Sequence, residues 1–220
     1  ILIVIAHPDD ESIFFSGLIQ SNNPDQFKVI CVTDGDADGH GKLRANQFAT
    51  AMKMLGVNDF QILSHPDIYE KRLDHHGICL DLCQLTDIRE IYTHGILGEY
   101  GHPHHQDVSY AVHKCFTGKF PIWSIAYNCY PDFEVKLTEQ EFKLKTKILS
   151  EVYLAETRRF VNFIPSYWYE GFTKVELDEV EALYRFFTKA IKPDLKILKK
   201  FGWYWPYLDF NGGQAAPRPF

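Results

Sequence analysis

The sequence predicts an α/β fold, with a mostly parallel β-sheet flanked by helices and a C-terminal part that is helical and rich in aromatic residues. The first observation is the opening run, residues 1–5, which is apolar throughout and typical of a strand buried on both faces of a parallel sheet. The second is another apolar segment, residues 88–93. Each segment ends in a cluster of histidines and acidic residues and then leads into a helical pattern. Because open α/β sheets bind ligands at the carboxyl ends of their strands, we expect both clusters at one edge of the sheet.

Further strands and helices follow from apolar runs, apolar spacing and turn residues. We predict strands at residues 27–32, 59–63 and 122–128, and helices at residues 13–19, 43–55, 80–85 and 177–191. Thr138 and Glu141 form a capping box that opens one more helix, ending near residue 155. Residues 133–137 are predicted to pair with the strand at 122–128 as a hairpin.

Length and composition are those of an ordinary globular protein. The 220 residues fit a single domain, with residues 1–137 as its α/β core and residues 138–220 as C-terminal helices and aromatic segments. The net charge of −6 argues against a nucleic-acid partner, which requires a basic face. No apolar run approaches the roughly 18 residues that a membrane span needs.

The cysteines are five in number and scattered along the chain. An odd, scattered set indicates reduced thiols, and we expect a cytoplasmic protein. Cys79 and Cys83 share a stretch that looks helical, but the sequence offers no second pair to complete a metal site.

The first polar cluster follows the opening strand and reads His-Pro-Asp-Asp-Glu-Ser. Pro8 ends the strand and suits the start of a helix. His7 and Asp10 then lie on either side of a sharp turn, where both can bind one cation while Asp9 points into the same cavity. Acidic residues also cap helix starts. This cluster alone is therefore as consistent with a helix cap that follows a loop histidine as it is with a cation site. A similar run at residues 65–67 lacks the second aspartate and is interpreted as an accidental echo.

The second polar cluster, at residues 98–105, reads Gly-Glu-Tyr-Gly-His-Pro-His-His. Histidine-rich loops have little reason to recur at strand ends, so the two clusters together favour a functional site over helix capping. Two histidines and one aspartate, with an open position for water, are suitable ligands for a hydrolytic zinc ion. The residues themselves therefore predict a zinc site.

Several short motifs, taken in order, resemble those of a known family. They are Ala-His-Pro-Asp-Asp-Glu-Ser from residue 6, Thr33-Asp34-Gly35, Arg44, Leu55-Gly56 and the Tyr-Gly-His-Pro-His-His run that ends at His105. Over about residues 1–115 the chain resembles the LmbE-like (PIG-L) zinc-dependent N-deacetylases, which remove acetyl groups from N-acetylglucosamine-type sugars. The resemblance implies a Rossmann-like form of the predicted sheet.

The resemblance also implies a role for each matching residue of the site. These roles are zinc ligand for His7, Asp10 and His105, general base for Asp9, oxyanion stabiliser or proton donor to the leaving amine for His102, contact with the carbonyl oxygen for Tyr100, and substrate contact for Arg44. The residues alone leave two of these open, since Arg44 is equally a solvated surface charge and Tyr100 equally a rim aromatic.

The chain departs from the family pattern at two positions. Gln47 stands where relatives usually have a glutamate, three residues after the arginine, so any ion pair that holds Arg44 is weakened or replaced. His104 replaces an aspartate between the two motif histidines, where it either alters the surroundings of the ligands or competes with His105 as a ligand. The acidic, glycine-rich loop at residues 33–41 is predicted to form a flexible rim beside the site.

The predicted function is that of a zinc-dependent amide hydrolase that removes the N-acetyl group from an N-acetylglucosamine-type sugar or glycoconjugate and releases acetate. Two alternatives stay open. One is a metal-dependent amidase of another acyl group or of a thiol conjugate, and the other is a catalytically silent sugar-binding relative that keeps the fold. The expected partner is a small N-acetylated sugar or glycoconjugate, and the sequence leaves a homo-oligomer open.

Overall fold

The structure is a computed structural model that describes residues 1–69, 71–127, 129–158 and 167–194. Its strands are β1 (Leu2–Ile5), β2 (Lys28–Thr33), β3 (Asp59–His65), β4 (Ile91–Thr93), β5 (Ile122–Ile125), β6 (Phe133–Lys136) and β7 (Tyr169–Thr173). Its α-helices are α1 (Asp10–Phe14), α2 (Ser16–Gln20), α3 (Gly41–Leu55), α4 (His75–Leu82), α5 (Pro103–Phe116), α6 (Glu139–Lys147), α7 (Leu154–Thr157) and α8 (Leu177–Lys189).

The described strands form one sheet in the order β3-β2-β1-β4-β5-β7-β6. Strands β1 to β5 pair with one another in parallel, whereas β7 is antiparallel to β5 and β6 is antiparallel to β7. Helices pack on the sheet, so the predicted α/β fold with a mostly parallel sheet is confirmed. In the part of the chain that the structure describes, none of the helices combines the length and the apolar character that crossing a bilayer requires.

Strand β1 lies in the middle of the sheet and is buried on both faces, as its apolar run predicted. Ile3 and Ile5 join the hydrophobic core beneath α1, α2 and α3, while Leu2 and Val4 join the core beneath α4 and α5. These four side chains are at most 1% exposed. Because successive side chains of a strand point to opposite faces, one short strand anchors both cores.

The predicted hairpin between residues 122–128 and residues 133–137 is wrong. Strand β6 pairs with β7, and β7 occupies the edge of β5 that the hairpin was to use. The physical reason is Phe172 of β7, which is fully buried, with its ring 5.2 Å from that of Tyr92 and 5.4 Å from that of Phe133. Burying this ring in the middle of the sheet stabilises β7 between β5 and β6.

The helix predicted over residues 13–19 is also different, because two short helices, α1 and α2, meet at Phe15. The Glu170 carboxylate accepts hydrogen bonds from the backbone N–H groups of Gly17 (2.8 Å) and Leu18 (2.9 Å). A continuous helix would direct those two N–H groups to carbonyls of the preceding turn, so the carboxylate starts a second helix instead.

The capping box is confirmed, because the Glu141 N–H donates to the Thr138 hydroxyl and the Glu141 carboxylate accepts from the Thr138 N–H. The helix it opens, α6, continues through a π-helical turn, Ile148–Val152, to α7. The predicted C-terminal part extends to residue 220, and its aromatic-rich residues 201–208 lie outside the described residues.

Candidate active site

The two polar clusters meet at the carboxyl ends of β1 and β4, which are adjacent strands of the sheet. His7 and Asp10 follow β1, and His105 lies in the first turn of α5, which follows β4. All three side chains are at most 7% exposed. The sheet topology therefore brings together residues almost a hundred positions apart, as the parallel arrangement predicted.

The three predicted zinc ligands have a donor geometry that fits the ion. Nδ1 of His7 lies 3.3 Å from Nε2 of His105. The Asp10 carboxylate has one oxygen 3.5 Å from that His7 nitrogen and the other 3.5 Å from the His105 nitrogen. Ligand atoms about 2.0–2.1 Å from a tetrahedral zinc ion are about 3.3–3.4 Å apart. The spacing and chemistry of this donor set fit a zinc ion.

Hydrogen bonds fix which nitrogen of each ring faces this point. His104 donates from Nε2 to the carbonyl of Lys71 (2.7 Å), so its Nδ1 accepts from Nε2 of His7 (3.0 Å). On the other ring, Nδ1 of His105 donates to the Glu99 carboxylate. Both bonds leave a lone pair on the nitrogen that faces Asp10, which is the tautomer that a metal ligand needs. His104 therefore lies behind His7 and orients it, and both of its nitrogens are occupied.

Asp9 lies beside this point in an unusual backbone conformation, with φ of 121°. Its N–H donates to the Glu11 carboxylate (3.0 Å), which also accepts from the hydroxyls of Tyr153 (2.8 Å) and Ser12 (2.7 Å). A positive φ is strained for a residue with a side chain, and these buried contacts hold it. Burial raises the pKa of Asp9 well above its ordinary value, although the nearby Arg44 guanidinium acts against that rise.

Arg44 is not the solvated surface charge that the residues left open, because it is 9% exposed and lies over the first cluster. It donates to the carbonyl of Pro8 (2.7 Å) and lies 3.3 Å from the Asp9 carboxylate. Burial acts to lower the pKa of Arg44, but the Asp9 and Glu156 carboxylates raise it above its ordinary value. Glu156, which lines the same cavity, thus adds negative charge near Arg44.

His102 and Tyr100 border the opening of the site. His102 caps α5, and its Nδ1 accepts from the His104 N–H (3.2 Å), so its neutral ring carries the proton on Nε2. Burial, together with the nearby imidazoles of His105 and His7, lowers the pKa of His102 to about 2. Tyr100 is 55% exposed, with its ring 5.9 Å from that of His102. His102 is therefore a neutral hydrogen-bond donor, and Tyr100 is a rim residue.

Sequence reasoning missed several residues of the site, among them His94 and Asp67. His94 directly follows β4, much as His7 closely follows β1, and it accepts from the Ala6 N–H (2.9 Å) while its ring stacks 3.9 Å from that of His105. Its position after a buried strand was a signal that could have identified it. Asp67, from the run interpreted as an accidental echo, has its carboxylate 3.5 Å from Nδ1 of His104 and 3.7 Å from the Arg44 guanidinium.

A cavity of about 350 Å³ opens onto these residues. Its lining includes Asp9, Arg44, Asp67, Tyr69, Tyr100 and His102. Ala37 and Asp38, of the loop predicted to form a rim, also line it, so the position of that loop is confirmed. The volume lies within the usual range of small-molecule sites.

The family model described as PIG-L, GlcNAc-PI de-N-acetylase, matches residues 2–116. The N-acetylglucosaminyl-phosphatidylinositol de-N-acetylase of Saccharomyces cerevisiae is 31% identical over 127 residues, which cover 51% of this chain and 42% of the yeast protein. The probable enzyme of the same name from Schizosaccharomyces pombe is 28% identical over 116 residues, covering 48% of this chain and 47% of that protein. The matched part of the chain thus corresponds to about half the length of these relatives.

Solved structures resemble most of the fold. The N,N′-diacetylchitobiose deacetylase from Pyrococcus horikoshii superposes with a TM-score of 0.59 at 17% identity, covering 89% of this chain and 87% of that one. A deacetylase of the teicoplanin biosynthesis pathway gives a TM-score of 0.60 at 15% identity, covering 73% of this chain and 86% of that one. At these identities the likeness concerns the fold.

Proposed function

Because the chain belongs to the PIG-L family of GlcNAc-PI de-N-acetylases, we propose that it is a zinc-dependent N-deacetylase of N-acetylglucosamine-type sugars. The reaction converts the N-acetyl amide and water into a free amine and acetate. The observation that carries the proposal is the convergence of His7, Asp10 and His105 on one point, with Asp9 beside it. The relatives that act on N-acetylated sugars support the same substrate class.

In this proposal His7 Nδ1, the Asp10 carboxylate and His105 Nε2 hold the zinc ion. When bound, such an ion polarises the amide carbonyl and lowers the pKa of a coordinated water to about 7. Glu99 and His104 keep the two imidazoles in the tautomers that binding needs. Because both partners are buried, these orientations are set before any substrate arrives.

Asp9 acts as the general base and then as the proton carrier. Its burial favours the protonated form, so its carboxylate is a stronger base than an exposed aspartate. It takes a proton from the attacking water and delivers that proton to the amide nitrogen as the C–N bond breaks. Arg44 keeps the carboxylate in place, 3.3 Å away, and its guanidinium faces the cavity where substrate hydroxyls would lie.

His102 stabilises the negative oxygen that forms when water adds to the carbonyl. Its Nε2–H is available because Nδ1 is occupied by the His104 N–H. This tautomer favours the oxyanion role over proton donation to the amine, the two alternatives that the sequence left open. Tyr100, at the rim, closes the same side of the cavity over the acetyl group.

The test is amine release by the purified protein from three substrates: N-acetylglucosamine, N,N′-diacetylchitobiose and N-acetylglucosaminyl-phosphatidylinositol. We expect release from at least one, loss of activity after treatment with a chelator, and recovery when zinc is added back. Activity that survives complete metal removal would contradict the metal dependence. A zinc-loaded protein that releases no amine from any of the three would contradict the deacetylase function.

A second prediction separates the two adjacent histidines. His105→Ala should lose zinc binding, because it removes a ligand atom that faces Asp10. His104→Ala should still bind one ion at this site, with an affinity reduced about 10–100-fold, because it removes only the partner that orients His7. Competition with a chelating dye measures both affinities. The reverse order, with His104→Ala the more severe, would make His104 the ligand.

A further inference from the structure

Three cysteines gather on the far side of the α4/α5 pair, away from the deacetylase site. Cys79 lies in α4, Cys83 lies at its C-terminal end, and Cys115 lies in the last turn of α5. Their sulfur atoms all lie within 4.8 Å of one another. The sequence offered only the pair in α4, and packing of the two helices supplies the third thiol 32 residues further along the chain.

One pair of sulfurs has the spacing of two ligands on the same zinc ion. The sulfurs of Cys79 and Cys83 are 3.9 Å apart. Thiolates about 2.3 Å from a common zinc ion are about 3.8 Å apart in a tetrahedral site and about 4.0 Å apart in a trigonal one. The sulfurs of Cys83 and Cys115 are 2.6 Å apart, closer than unbonded atoms pack. Cys83 is exposed, so its side chain has room to rotate and widen this edge around an ion.

The surroundings suit a soft cation. Sulfur ligands select zinc or monovalent copper over magnesium or calcium. Cys115 is buried whereas Cys83 reaches solvent, so an ion can enter from outside and find one ligand already fixed.

We propose that Cys79, Cys83 and Cys115 form a three-thiolate site that binds a zinc ion, separate from the deacetylase centre. A fourth position at the exposed side is left for water. The ion links α4 to α5, and α5 carries His102, His104 and His105 at its opposite end. A disulfide between Cys83 and Cys115 would use only two of the three sulfurs. It would not account for the sulfur of Cys79, which lies 3.9 Å from that of Cys83.

The test compares zinc content in the full chain, purified without chelator, with that of single variants. We expect Cys83→Ser to hold one zinc ion per chain fewer than the unchanged protein and to keep amine release. Cys129→Ser is the matched control, because its thiol lies outside the cluster and contacts the Tyr127 carbonyl. It should keep the full zinc content. Cadmium added to the unchanged protein should give a thiolate-to-metal charge-transfer band that Cys83→Ser lacks.

Two results would overturn the site. One is a disulfide between Cys83 and Cys115. It would appear as an intact mass lower by two hydrogens before reduction than after it, and as a linked peptide that contains both cysteines. The other is equal zinc content in Cys83→Ser and the unchanged protein, with no cadmium band in either. If Cys83→Ser does not fold, Cys79→Ser gives the same comparison. Failure of the deacetylase assay would leave the difference of one ion unaffected, so the two proposals fail separately.

Discussion

Replacing Asp9 with asparagine is expected to lower the rate of amine release by about 10²–10⁴-fold while the zinc content stays unchanged. The carboxamide has nearly the same shape as the carboxylate but cannot take a proton from water. Asp9 is not among the three atoms that converge on the zinc position, so the metal centre should remain intact. The size of the loss is that of a positioned general base.

The control for this variant is Asp38→Asn, which removes the same charge from the rim of the same cavity. Asp38→Asn should keep most of the activity, because it removes one negative charge from the cavity but leaves the general base in place. We expect the loss of that charge alone to have little effect on the rate of amine release. Zinc content and the pH dependence of kcat are measured for both proteins. An Asp9→Asn protein that is fully active would remove Asp9 from the base role. Equal losses in the two variants would make the effect one of cavity charge.

The strands and helices predicted correctly are those whose signals lie within a few neighbouring residues. The apolar run of β1 specifies a strand buried on both faces, and the Thr138 capping box marks the start of α6 at the observed residue. Strand β7 carries no such signal. Its place in the sheet depends on Phe172 packing against Tyr92 and Phe133, which come from two other strands. Contacts between residues so far apart in the sequence form only when the whole chain folds, so no short stretch of sequence predicts them.

The same distinction applies to the site. The meeting of the two clusters was predictable, because each follows a strand and parallel strands end at one edge. The negative charge that Glu156 adds near Arg44 was not predictable, since Glu156 lies in a helix far along the chain. Asp67 was missed because an incomplete motif gives no indication of what its side chain meets in the fold. The roles assigned to Asp9, His102 and Tyr100 stay predictions.

Replacing Glu170 with leucine is expected to give the largest loss of stability of any single change considered, about 3–5 kcal/mol. The Glu170 carboxylate is buried and accepts from the Lys145 ammonium (2.7 Å) and from the two N–H groups that begin α2. Its removal leaves a fully buried lysine charge without its carboxylate and two backbone donors without an acceptor. Urea unfolding measures the free-energy change.

The reverse change, Lys145→Met, should cost less, because the carboxylate keeps both backbone N–H donors at the start of α2. The double variant should be less destabilised than the sum of the two single changes, since the charge that each leaves unpaired is then absent. Lys143→Met is the matched control, because its ion pair with Glu139 lies at an exposed position of the same helix. It should unfold like the unchanged protein. If Lys145→Met were as damaging as Glu170→Leu, the buried charge would dominate, and the start of α2 would not depend on the carboxylate that separates it from α1.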